Sequence, residues 1–508
     1  MLPTSLHQYL GDAMERMLKT TDELDMGEEI RAHWDQRLAS HRPAYVRLMR
    51  YLIRLGIVMP VKAGSAREQL GLFFVKKSGK DKVRLIVDAR RVNRRFRAPP
   101  SVTLASSEAL SRIEIELPAD VDFDSDEGRR VLENLEVYLG NVDVKDAFHR
   151  FRLRRDFALW FGVGSASAGE MRLVGQRVDG EIVGFHDTLD LVWTSLPMGF
   201  SWSLFFCQHV IQDVACKALD QSRSLLMADR SPPAVFRVGA DGTPDVDSSR
   251  AHYVYVDNLG LCGCEKKEVE SDLGVVVTAL ESKGLLTHEL SVDTTASPLG
   301  VVFDGKKHFT ALTAKRYWRV CQAAKFALSR RAVPGWVWEV LLGHFTFCGL
   351  VRRDLLSGFH TIYKFIRRHY NQRVPLWPSA REEVLHFAGA LVFARTEWGL
   401  QWSTHVTATD ASLHGFGICT ARWPRGEVAK AGRVLERSRF KAVLQGEKPG
   451  ARESSPPTPS TLISLLSICR TPRLFVRIRI FPSSMRACSP RIFSHRRRRG
   501  AFIGPRTF

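Results

Sequence analysis

Acidic residues run out well before this sequence ends. No aspartate follows Asp410, and residues 451 to 508 hold 12 arginines, no lysine and a single acid, Glu453. A site built on several carboxylates is therefore excluded from that stretch. Long apolar runs are missing as well: nowhere do eighteen or more uncharged apolar residues follow one another, which argues against a membrane span. The opening MLPTSLHQYLGDAMER has no basic-then-apolar segment of the kind that directs secretion. The expectation is an intracellular protein, nuclear or cytoplasmic, with no membrane partner.

Cysteine is scarce and scattered, nine in 508 residues. Cys262 and Cys264 stand close together without the second ligand pair that a structural zinc site needs, so the thiols read as reduced and mostly buried. Calcium lacks its glycine. Were Asp122 to open a calcium loop, Asp124, Asp126 and Glu133 would fall at ligand positions, but Glu127 stands where the sharp turn requires glycine. Residues 120 to 136 read instead as a solvated acidic loop. Fixed-period repeats are missing too, which excludes solenoids and propellers.

What remains is the composition of a soluble globular chain, 44% hydrophobic and 25% charged, long enough for two to four domains. Its formal charge of +20 invites a polyanionic partner, because lysines and arginines that neutralise phosphates release counterions. The tail accounts for +11 of that excess, leaving +9 on residues 1 to 450. Such a body is compatible with a nucleic-acid channel without establishing one. The tail over 451 to 508 is dense in Ser, Pro and Arg and is expected to be a disordered basic segment. Its bias resembles translation outside the evolved frame, with a basic nucleic-acid-binding or nuclear-import tail as the alternative.

Helical spacing of Val46, Leu48, Met49, Leu52 and Ile53, with Gly56 suited to the stop, marks residues 1 to 60 as helical. LGLFFVKKSGKDKVRLIVDARRVN reads as two strands joined by the polar turn SGKD. NVDVKDAF is strand-like. In LPMGFSWSLFFCQ, Pro197 and Gly199 make a turn before a long apolar helix, on which Gln208 reads as a structural hydrogen-bonding residue. DRSPPAVFRVGADGTPDVDSSR reads as a surface insertion. HYVYVDNLGLCG alternates through Tyr253, Val254, Tyr255 and Val256, is interrupted by Asp257 and Asn258, and turns apolar again at Leu259. That is a hairpin with a carboxylate at its tip. PLGVVFDGKKHF reads as another hairpin, and residues 311 to 400 as mainly helical.

Taken singly, Asp143 could be an ordinary strand-end aspartate and Asp257 an ordinary turn residue. In order, RLIVDARRVN, DVKDAF, LPMGFSWSLFFCQ, YVDN and PLGVVF resemble the reverse transcriptases, the RNA-directed DNA polymerases of retroelements and retroviruses, over roughly residues 45 to 305. The helical region that follows looks like that of retrotransposon enzymes of the DIRS-like or LTR type.

The resemblance implies an α+β right-hand polymerase fold with an antiparallel palm sheet: a helical region over 1 to 60, fingers and palm over 61 to 310, and a helical thumb or connection over 311 to 400. It implies extension of a DNA primer on an RNA or DNA template with deoxynucleoside triphosphates. Asp143 and Asp257 would be the catalytic carboxylates and hold two magnesium ions, or manganese; one acidifies the primer hydroxyl and the other neutralises the triphosphate. Lys77 and Arg84 would grip the incoming triphosphate. The backbone near Asp146 would line the nucleotide pocket together with Met198 and Gly199, the glycine letting backbone approach template or nucleotide closely. Phe148 would sit beneath the sugar, where its ring collides with a 2′-hydroxyl. The plainer readings are a solvated basic edge strand for Lys77 and Arg84, and core packing for Phe148. Leu299 and Gly300 match a hairpin that grips the primer, and Lys364, Arg367 and Arg368 are candidates to face a duplex backbone.

The pattern departs at Asn258, where the family usually has a second aspartate. Asparagine offers a carbonyl oxygen and tolerates tight turns, but the site loses one negative charge and should hold cations more weakly. Two readings stay open: an active polymerase that tolerates asparagine, or a catalytically inactive nucleic-acid-binding relic. VTATDASLHGFGICTA, residues 406 to 421, resembles the first strand of ribonuclease H, with Asp410 ending it. Only Glu436 and Glu447 follow as helpers, and Pro449 with Gly450 breaks the helix on which that family carries its glutamate. Residues 401 to 450 therefore read as a truncated ribonuclease H-like segment, and Asp410 as its relic.

Overall fold

The alternating segments of the sequence come together in one five-stranded sheet. Its strands are β1 (Tyr138–Val144), β2 (Ser224–Leu226), β3 (Arg250–Tyr255), β4 (Asn258–Gly263) and β5 (Thr287–Asp293), in the spatial order β2-β3-β4-β1-β5. All neighbours are antiparallel except β2 and β3, which run parallel. Side chains alternate between the faces of a strand, so Val142, Val144, Val254, Leu259 and Leu261 share one face. There they pack with helices α1 (Ser201–Ala218) and α2 (Lys266–Glu281), through Cys207, Ile211 and Ala215 of the first and Val269, Leu273 and Val276 of the second. Burial of each aliphatic side chain of this size contributes about 1.5–3 kcal/mol. Helix α1 also buries Trp202, Phe205 and Phe206 in a second cluster, which accounts for its near-continuous apolar text.

The computed structural model describes residues 3–10, 14–24, 30–76, 83–118, 121–122, 125–219, 224–229, 231–245, 250–412, 415–434, 477–482 and 502–503. The chain is mixed α+β and divides into two compact units, the first from residues 1–105, 138–226 and 250–293, the second from residues 106–137, 227–249 and 294–508. Among the described residues no helix is long and apolar enough to cross a membrane.

In the first unit, the helix Arg42–Arg54 buries Tyr45, Val46, Met49 and Leu52, and Gly56 follows it with φ +66°. Strands Gly71–Lys76 and Val83–Asp88 pair antiparallel. A three-stranded sheet of Val58–Lys62, Thr188–Trp193 and Gly162–Ser167 lies in the same unit.

The second unit corrects three readings of the sequence. The segment DRSPPAVFRVGADGTPDVDSSR is not simply a surface insertion: Val235–Arg237 pairs in parallel with Glu114–Glu116, and Ala234, Val235 and Phe236 are buried. The short apolar run outweighs its turn-rich flanks. The acidic stretch is also more than a loop. Helix Asp126–Asn134 starts at Ser125, whose Oγ accepts from the Gly128 N–H at 3.0 Å, so Asp126 and Glu127 sit at the end of the helix that favours negative charge. The hairpin Val301–Asp304 with Phe309–Leu312 and the helices Ala314–Ser329, Gly335–Gly349, Thr361–Arg368 and Pro378–Ala390 follow. His405–Ser412 and Gly415–Arg422 pair antiparallel, and two segments of the tail expected to be disordered, Arg477–Pro482 and Phe502–Ile503, add to that hairpin as strands. Alternation in RIRI is the period-two signal there, hidden in the sequence by the arginine bias. Glu436, Glu447 and the remainder of the tail lie outside the described residues.

Candidate active site

The β3–β4 connection is a two-residue turn. Tyr255 pairs with Asn258, leaving Val256 and Asp257 at the tip. Val256 has φ +59°, a left-handed conformation that costs an L-residue roughly 1–2 kcal/mol and is rare for a β-branched one. Two features hold it there. Its side chain is buried in the cluster between sheet and helices. Gln208 of α1, itself 1% exposed, brackets the turn: its Oε1 accepts the N–H of Val256 at 2.7 Å, and its Nε2 donates to the carbonyl of Val254 at 3.0 Å. With Val256 fixed inward, Asp257 occupies the outer corner.

Register then aligns a row of side chains on the face of the sheet away from the helices. Tyr255 pairs with Asn258, Asn258 with Asp143, and Asp143 with His288, across β3, β4, β1 and β5. The backbone N–H of Val144 donates to the carbonyl of Asp257 at 2.8 Å, which ties the end of β1 to the turn. Asp143 is half-buried, and its carboxyl titrates above the usual aspartate range; burial is the main cause, the Asp257 charge comes next, and His288 opposes the shift while Glu289 adds to it. The Asn258 Nδ2 donates to Asp257 Oδ1 at 3.1 Å. One row further along, the Tyr253 hydroxyl donates to Asn141 Oδ1 at 3.2 Å, and its ring passes so close over Gly260 that a Cβ there would meet it at 2.2 Å. Any other residue there would force the buried Tyr253 ring to move.

Strand β5 is irregular between His288 and Ser291, and Glu289 within this bulge has φ +58°. His288 Nδ1 lies 3.1 Å from the carbonyl oxygen of Asp143. Ligand atoms of Asp143, His288 and Glu289 all fall within 4.8 Å of one another. Half-buried and exposed carboxylates of this kind are hard oxygen donors suited to a divalent cation. Neither His288 nor Glu289 was legible in the sequence, because nothing in THELSVD signals a bulge.

Lys77 lies outside the described residues. Arg84 is exposed on the strand Val83–Asp88, opposite Val75. Asp146 is exposed, with φ +52°, at the start of the short helix Ala147–Arg150. Phe148, on that helix, is half-buried and packs against two hydrophobic clusters of the unit. Met198 is half-buried in the turn that leads into α1. Gly199 makes a close approach within the chain itself. With φ +108°, it lies where a Cβ would come within 2.7 Å of the Val87 carbonyl, so glycine is required by the approach of the chain's own hairpin. Asn93, which sequence reasoning passed over, secures that contact: its Nδ2 donates to the Gly199 carbonyl and its Oδ1 accepts from the Ser201 N–H, both at 2.9 Å. In the second unit, Leu299 and Gly300 form a tight turn with φ +50° and +78°, and Lys364, Arg367 and Arg368 are exposed on the helix Thr361–Arg368. The backbone of Asp410 pairs with Gly417, and its strand continues to Ser412, past the point where it was expected to end.

No protein-family model matches this chain, and no curated protein matches its sequence. Solved structures similar to it include the foamy viral protease-reverse transcriptase dRH in complex with double-stranded DNA, at 14% identity and a TM-score of 0.46, covering 81% of this chain and 61% of that one. The foamy viral protease-reverse transcriptase in complex with an RNA/DNA hybrid is similar at 14% identity and a TM-score of 0.44, over 78% of this chain and 42% of that one. The same viral protein in complex with double-stranded DNA gives 15% identity and a TM-score of 0.44, over 78% and 67%. This chain thus spans less than two thirds of the length of the first two structures it resembles.

Proposed function

We propose that this chain is a reverse transcriptase of a retroelement, of the DIRS-like or LTR type, which extends a DNA primer on an RNA or DNA template with deoxynucleoside triphosphates. The reading assigns residues 61 to 310 to the fingers and palm of a right-hand polymerase, 311 to 400 to a thumb or connection, and 401 to 450 to a truncated ribonuclease H-like segment in which Asp410 is a relic. The observation that carries it is the meeting of Asp143 and Asp257, from separate parts of the sequence, at one corner of the sheet.

Asp143 and Asp257 present oxygen donors of the type that magnesium and manganese prefer. Two such cations, when bound, acidify the primer hydroxyl and neutralise the triphosphate. In this reading the carboxylates hold them at the fixed spacing that β1 and the turn impose. Arg84 and Lys77 add positive charge for the triphosphate oxygens. Asp146, Met198 and Gly199 contribute to the nucleotide pocket, and the Phe148 ring occupies the space beneath the sugar.

Primer extension by the full chain on RNA and on DNA templates tests this. Template-dependent synthesis that disappears in Asp143→Asn and in Asp257→Asn is the expected result. A second reading, an inactive nucleic-acid-binding relic, is favoured by the hydrogen bond from Asn258 Nδ2 to Asp257 Oδ1, which occupies a carboxylate lone pair that a cation would use. Duplex binding without synthesis, in magnesium and in manganese, would select it.

A further inference from the structure

Asn258 leaves the corner one carboxylate short of the pattern the sequence resembles, and a different strand brings another acid to it. We infer that His288 and Glu289 complete the cation site at Asp143, making it a mixed nitrogen and oxygen site that takes manganese more tightly than magnesium. This rests on the polymerase reading for the role of Asp143.

On a regular strand, consecutive residues project to opposite faces, so His288 and Glu289 could not both reach Asp143. The bulge in β5 removes that restriction. With Glu289 in a left-handed conformation, both side chains bring a ligand atom to the same aspartate, all within 4.8 Å of one another. Bulges re-aim side chains in this way. Two ligands on opposite sides of a magnesium-sized ion are about 4.2 Å apart, twice the metal–oxygen bond, and adjacent ones are closer, so the site closes by movement of the exposed Glu289 side chain.

The histidine is prepared for the same task. Its Nδ1 lies 3.1 Å from the Asp143 carbonyl, which accepts its N–H, and its Nε2 lies 4.0 Å from Glu289 Oε1; a neutral ring in this tautomer presents its lone pair at Nε2. Ligating histidines are held in this manner, with the second ring nitrogen anchored to a carbonyl or carboxylate. Counting charge, Glu289 replaces the carboxylate that Asn258 does not supply. Counting chemistry, an imidazole nitrogen favours first-row transition ions, whereas magnesium prefers oxygen alone.

The test is manganese binding by the full chain without nucleic acid, read by electron paramagnetic resonance, with circular dichroism to confirm that each variant is folded. Asp143→Asn, Glu289→Gln and His288→Ala should each raise the manganese Kd by about tenfold or more. His288→Ala should also erase the nitrogen coupling in the bound-ion spectrum and reduce the preference for manganese over magnesium. Weakening in Asp143→Asn alone would overturn this inference and leave the polymerase reading standing. Unchanged binding in all three variants would overturn both.

Discussion

The Val144 N–H donates to the carbonyl of Asp257 at 2.8 Å, one residue beyond Asp143. This bond ties the end of the strand that carries Asp143 to the turn that carries Asp257, whose charge acts on the Asp143 carboxyl. The corner is therefore held by backbone and by buried apolar side chains against the mutual repulsion of its acids. The cost of that repulsion to the fold is measurable.

Asp143 gives the first measurement. Its carboxyl, with an ordinary value of 3.8, is pushed upward by burial and then by Asp257. The native state thus holds this proton more tightly than the unfolded chain, so stability falls as pH rises through the interval above the ordinary value, and the loss persists at neutral pH. In chelator, Asp143→Asn should melt above the wild type at pH 7, and the advantage should disappear as pH falls below about 4. Thermal melts across that range check it; a variant less stable at pH 7 would contradict the account of the site.

Gln208 gives the second. Replacing it with leucine leaves the Val254 carbonyl and the Val256 N–H without their partner, at a cost of about 2–4 kcal/mol for two buried backbone groups. Val256→Gly permits the positive φ without strain, so Gln208→Leu should cost about 1 kcal/mol less when combined with Val256→Gly than it does alone. Urea unfolding of the wild type, the two single variants and the double variant measures this coupling. Strict additivity would show that Gln208 does not hold the turn.

Much of this corner was readable from residue order. The alternation of Tyr253 to Val256, its break at Asp257 and the apolar return at Leu259 specify a hairpin because burial on one face imposes period two. Gln208 stood out as a polar residue in an apolar helix, though its partner could not be named. What stayed hidden depends on distance along the chain or on irregular backbone. The β5 bulge that delivers Glu289 has no glycine to announce it. Gly199 was legible as a residue needing close approach, but the neighbour, Val87, lies across a separate hairpin. The RIRI strand was concealed by a composition that otherwise argues for disorder.

Asn258→Asp gives a third prediction. It removes the donor to Asp257 Oδ1 and adds a carboxylate directly across from Asp143. Without cations the variant should melt below the wild type. With magnesium it should bind about tenfold more tightly, the consequence of roughly 1.4 kcal/mol of added attraction, and it should extend primers faster. Calorimetric titration and extension rates, measured together, check both halves.

Phe148 gives a fourth. Its ring is shared between two hydrophobic clusters, so Phe148→Val should lose about 1–2 kcal/mol of stability while raising the incorporation of ribonucleotides relative to deoxyribonucleotides. Competition between the two sugars in extension reactions reads this out. A stability loss with unchanged sugar preference would leave Phe148 a packing residue only.

Whether the two carboxylates act together is read from a magnesium titration, by calorimetry, of the wild type, Asp143→Asn, Asp257→Asn and the double variant. If the two carboxylates share their cations, each single variant weakens binding and the double variant is scarcely worse than either. Losses that simply add, or wild-type binding in Asp257→Asn, would contradict it.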